Sequence, residues 1–66
     1  MSLNELDTVV ILNDYPSEEL KKGDIGVIVS VHTNPNEAYE IEFVDDKGMT
    51  KSMMVLLPDE IKKYRD

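Results

Sequence analysis

Apolar and polar positions alternate along this chain in short runs with a period of two, each run bounded by turn-forming residues. That is the pattern of half-buried β-strands rather than of helices. The first run, Thr8-Val9-Val10-Ile11-Leu12, ends at Asn13-Asp14-Tyr15-Pro16, where Pro16 holds Tyr15 extended. Residues 13–22 are expected to form a long loop. Within it, Ser17 as N-cap and Gly23 as stop suit one helical turn, too short to stand alone. Residues 25–32 make the strongest strand: Ile25, Val27, Val29 and Val31 share one face, and Ile28 lies on the other between Gly26 and Ser30. A glycine inside a strand marks a bulge or the close approach of another backbone. After a turn at residues 33–37, residues 38–44 alternate most clearly, with Tyr39, Ile41 and Phe43 inward and Glu40 and Glu42 outward. Asp45-Asp46-Lys47-Gly48 reads as a tight hairpin turn with positive φ at Gly48. Residues 49–56 form the returning strand, whose inward set is ambiguous because Met53, Met54, Val55, Leu56 and Leu57 follow without a polar break. Pro58-Asp59-Glu60-Ile61 predicts one turn of 3₁₀-helix, and residues 61–64 a last short strand.

Four or five short strands, a long first loop and a 3₁₀ turn before the last strand predict an all-β domain, a small closed or nearly closed barrel. Closure removes the exposed edges that a flat sheet of this size manages poorly. An open antiparallel sheet is the alternative, and it needs a partner to cover its second face. Sixty-six residues make a single domain, residues 1–66, and the 41% apolar content suits a compact core. With no cysteine there is no disulfide or thiolate metal site to reinforce so small a core, which leaves a homodimer as one source of further burial. No run approaches the ~18 apolar residues of a membrane span. The polar, acidic N-terminus does not read as a signal peptide, so a cytoplasmic protein is expected.

Fourteen acidic and seven basic side chains give a net charge of −7. Lys21, Lys22, Lys47, Lys51, Lys62, Lys63 and Arg65 are scattered in pairs and singles, so a nucleic-acid backbone is repelled rather than drawn in. Catalysis lacks its usual parts. The one imidazole, His32, shares a strand face with Ser30, a pair that reads as a solvent-facing strand end rather than a nucleophile and its base. Glu40 and Glu42 also share a face, with α-carbons ~7 Å apart. Acid–base work on a glycoside requires a deep cleft and one desolvated acid, for which a small barrel has no room. The pair reads instead as a solvated ladder or an acidic, partner-facing stripe. Asp45 and Asp46 lack the alternating oxygen ligands of a calcium loop. No enzyme activity, cofactor or metal is expected.

The segment Leu20-Lys21-Lys22-Gly23-Asp24-Ile25-Gly26-Val27-Ile28 resembles the K-G-D-x-G-x-V element of SH3-like barrels, KOW domains among them. Gly23 and Asp24 turn the chain into the strand there, and Gly26 lets it bend. The pattern widens to Glu5-Leu6-Asp7-Thr8-Val9-Val10, to residues 22–29, and to residues 38–45 with Gly48 and Thr50 beyond. Over nearly the whole chain, from Leu3 to about Ile61, it resembles a small bacterial family catalogued as domain of unknown function 4926. The resemblance implies a stand-alone SH3-like domain. It also implies neighbours among other small proteins, in paired arrangements like those of toxins and antitoxins. It brings no catalytic residues. The departure from the family pattern is Met53-Met54, where Val, Leu or Thr is expected.

These readings converge on a non-catalytic protein-interaction module, the acidic partner of a neighbouring-gene protein in the manner of an antitoxin or immunity protein. The candidate partner-binding residues are Tyr15, presented from the long loop, Glu40 and Glu42, and Met54. The structural turn positions are Gly23, Asp24, Gly26 and Gly48. A self-associating homodimer built on the apolar return strand is the second expectation. A KOW-like RNA-binding domain is the third, disfavoured by the charge and because Tyr39 and Phe43 belong to the core, leaving too few aromatics for a stacking platform.

Overall fold

The structure, a computed structural model, describes residues 3–65. Its strands are β1 (Thr8–Ile11), β2 (Ile25–His32), β3 (Ala38–Val44), β4 (Thr50–Leu56) and β5 (Ile61–Lys63). Two single 3₁₀ turns, Pro16–Glu18 and Pro58–Glu60, lie between strands. All pairings are antiparallel, and the sheet runs β4-β3-β2-β1-β5. The β2-β3-β4 meander with β5 returned beside β1 makes the all-β domain of five short antiparallel strands expected from the sequence. The two ends of the sheet, β4 and β5, are not paired with each other. Among the described residues no helix is long and apolar enough to cross a membrane.

The core is built from one side of each strand. Val9, Ile11, Ile28, Tyr39, Ile41, Phe43, Leu56 and Ile61 are buried, with Leu20 contributed by the long loop. The β3 alternation accounts for its share directly, since Tyr39, Ile41 and Phe43 face inward while Glu40 and Glu42 stay half-buried on the outer side. The Tyr39 hydroxyl donates to the Glu37 carboxylate, which satisfies a buried polar group.

β2 turns the face with fewer apolar side chains toward the core. Gly26 and Ile28 are buried, whereas Ile25 is exposed and Val27 and Val29 are half-buried on the outside. The reason is steric: a Cβ on Gly26 would stand 2.6 Å from Ile41 Cγ2 and 2.8 Å from Phe43 Cε1, so the absent side chain is what lets β3 pack down. Between Ile28 and Ser30 the register slips by one residue. The slip carries Ser30 opposite Glu40 on the outer side and Val31 opposite Tyr39. A strand with such an irregularity has no single inward set.

The loop turn differs from the one expected. It starts at Pro16, whose ring presets the helical φ, with Tyr15 as its flank and no side-chain cap. It ends at Glu19, in the left-handed region at φ +58°. Ser17 therefore lies inside the turn, and Gly23 serves a later one. The second turn opens at Pro58 as expected, and Glu60 Oε1 accepts from the Leu57 amide.

Candidate interaction surface

Two turns bring acidic residues from distant parts of the sequence to one groove. In the first, Gly23 takes φ +98°. The Asp24 carboxylate accepts from the Lys21 amide at 3.0 Å, and the Gly23 amide donates to the Ile11 carbonyl at 3.0 Å. These bonds fix where β2 leaves the loop. In the second, Asp45 Oδ1 accepts from the amides of Lys47 and Met49 at 2.9 and 3.0 Å. The Gly48 amide donates to the Asp45 carbonyl at 3.0 Å, with Gly48 at φ +81°. A side-chain cap and a positive-φ glycine are what a three-residue hairpin loop needs.

Between these turns lies an open groove rimmed by Glu19, Asp24, Asp45 and Asp46, with Leu20 and Phe43 in its floor. Ile25 and Val44 form apolar lips, 47% and 53% exposed, and Lys51 is the one cation that lines it. Asp24 and Asp45 are committed to turn hydrogen bonds. The carboxylates of Glu19 and Asp46 have no hydrogen bond or ion pair to any described residue, although the Glu19 amide donates to the Pro16 carbonyl at 3.0 Å. Four carboxylates around one groove favour a cation there over another anion. Among the described residues no three His, Cys, Asp or Glu side chains converge in a metal-holding set.

The residues singled out from the sequence divide between two environments. Tyr15 packs half-buried against the core and is tied to Leu20 by reciprocal main-chain bonds of 2.8 and 3.2 Å. Its hydroxyl lies 3.4 Å from Glu60 Oε2, long for a bond between oxygens. Met54 pairs with Ile41 and packs against the core, so the exposed thioether is that of Met53. Glu42 lies on the outer face between Val27 and Met53 and accepts from the Thr50 hydroxyl. Glu40 sits between Ser30 and Val55. His32 is exposed at the end of β2, and no hydrogen bond joins it to Ser30.

The groove was not singled out in advance, because its rim comes from residues far apart in sequence. A signal was available in the Asp45-Asp46 pair and the acidic loop flanking Leu20, but joining them requires the β2–β3 register. One group of basic residues, neighbours in sequence, forms a patch of its own. Lys62, Lys63 and Arg65 lie together beside Val10 at the β5 end, with Lys63 Nζ 3.8 Å from Asp7 Oδ2.

A family model described as Domain of unknown function (DUF4926) matches residues 5–63. No curated protein and no solved structure matches the chain.

Proposed function

The chain belongs to the DUF4926 family, and we propose that it acts there as a non-catalytic interaction module, the acidic partner of a basic protein encoded by a neighbouring gene. The observation that carries this reading is the groove between the two turns. An apolar floor and lips accept the aliphatic stem of a lysine or arginine, and the acidic rim takes its charge. The Glu19 and Asp46 carboxylates make no bond within the fold, which suits side chains held for a partner. The excess negative charge steers a basic protein toward the groove and repels nucleic acid.

Co-expression with the neighbouring gene product tests the reading. A stoichiometric complex is expected, with an association rate that falls about tenfold or more between low and high salt. Absence of a complex, or an association rate indifferent to salt, overturns it.

A further inference from the structure

The two free edges of this sheet are protected very unequally. β5 is three residues long and carries Lys62 and Lys63, the shortness and charge by which an edge strand avoids pairing. β4 is seven residues long and also ends the sheet, so among the described residues one side of its backbone has no strand to bond. Its outward side chains Met53 and Val55 are 48% and 61% exposed. The regular part of β4 is bounded at both ends. A register slip separates the Phe43–Ser52 pair from the Val44–Thr50 pair, and Pro58, which has no amide hydrogen, follows Leu57.

We infer that this edge pairs with the β4 edge of a second copy of the chain, antiparallel, with the two-fold axis at Met54. The midpoint of the regular stretch, residues 52–56, is Met54. Centring there sets Met53 opposite Val55 of the second copy and Val55 opposite Met53 of the second copy. Both exposed apolar side chains are then covered, by each other, on the outer face. Any residue of another protein could supply the backbone bonds, but only this arrangement makes the apolar pair self-complementary twice over.

Charge selects the same occupant. The chain carries −7, yet residues 52–57 contain no ionisable side chain. This strip is where two copies of an acidic protein approach with least repulsion. In the paired sheet, Glu42 beside Met53 faces Glu40 of the second copy across three strand spacings, about 14 Å. That exceeds the screening length of ~8 Å at physiological ionic strength. Pairing β4 with the β5 edge of another copy would be head-to-tail and open-ended, and the β5 lysines disfavour it, which leaves the closed two-fold dimer. Met53 and Met54 are adaptable enough to repack on such a surface.

Because the chain has no cysteine, single cysteines can report the register. Met53→Cys and Val55→Cys proteins are mixed under mild oxidation. The mixture is expected to cross-link at least tenfold faster than either variant alone, since opposed residues lie within disulfide reach. Like positions are offset by two residues, ~8 Å between α-carbons, which is beyond it. Sedimentation equilibrium of the native chain should show a monomer–dimer equilibrium in the micromolar range. Val55→Lys should weaken it at least tenfold with the far-UV spectrum unchanged, since Val55 touches solvent rather than the core. A monomer at all concentrations up to roughly 300 μM, far above a micromolar dissociation constant, overturns the inference. So do single variants that cross-link as fast as the mixture, or a dimer indifferent to Val55→Lys. The partner reading above is tested at Glu19 and Asp46, on a different surface, so the two stand or fall separately.

Discussion

Gly26 and Gly23 illustrate two different reasons for glycine three residues apart. Gly26 is buried, and an added Cβ would collide with Ile41 and Phe43 at under 3 Å. Gly23 has nothing within 4 Å of such an atom but sits at φ +98°. Gly26→Ala is therefore expected to cost about 1–3 kcal/mol through overpacking. Gly23→Ala is expected to cost about 1–2 kcal/mol through backbone strain alone. Asn separates the mechanisms, because it enters the left-handed region more readily than Ala but is larger. Urea unfolding should place Gly23→Asn above Gly23→Ala in stability, and Gly26→Asn below Gly26→Ala. The close approach at Gly26 belongs to three-dimensional packing. Only the glycine itself is visible in the sequence, not the Ile41 and Phe43 side chains that pack onto it.

At the scale of elements, Tyr15 decides whether the long loop presents a side chain or anchors itself. Its ring lies against the core while its hydroxyl makes only the 3.4 Å approach to Glu60. Tyr15→Phe should consequently leave stability within about 0.5 kcal/mol of native, the scale of a change that breaks no strong bond. Tyr15→Ala should cost roughly 2 kcal/mol, about half the loss of a fully buried aromatic. Thermal unfolding checks both, and an unchanged midpoint for Tyr15→Ala would identify a solvent-facing ring. β2 and β3 have the bounds that their apolar runs suggest, residues 25–32 and 38–44, because turn residues delimit them and one face of β3 is wet. The facing of β2 was not legible. Ile25, Val27 and Val29 are turned outward while Gly26 and Ile28 face the core, and the slip after Ile28 reverses the phase midway. β4 was ambiguous for a related reason. Ser52 is turned inward opposite Phe43, where its hydroxyl donates to Glu18, while Val55 is turned out. Hydrophobicity alone ranks those two the other way.

For the molecule as a whole, the question is why −7 is tolerated in 66 residues. Acidity spread evenly for solubility would leave each carboxylate far from the next, and neutralising any one would matter little. Here four carboxylates rim a single groove, opposed by Lys51, and two of them build turns. Glu19 and Asp46 can be neutralised without touching those bonds. The double substitution Glu19→Gln with Asp46→Asn should raise stability at low ionic strength by up to about 1 kcal/mol, the sum of two small surface terms. High salt should erase the gain, because screening shortens the range of the repulsion that the substitutions relieve. Association with a basic partner should slow in the same variant, by about threefold to tenfold at low salt, since the steering field is weakened at the contact itself. Paired unfolding and stopped-flow measurements across a salt series check both. A variant more stable yet slower to bind identifies the groove charge as held against the interest of the fold. Equal stability at every salt concentration would instead return Glu19 and Asp46 to ordinary solvated surface.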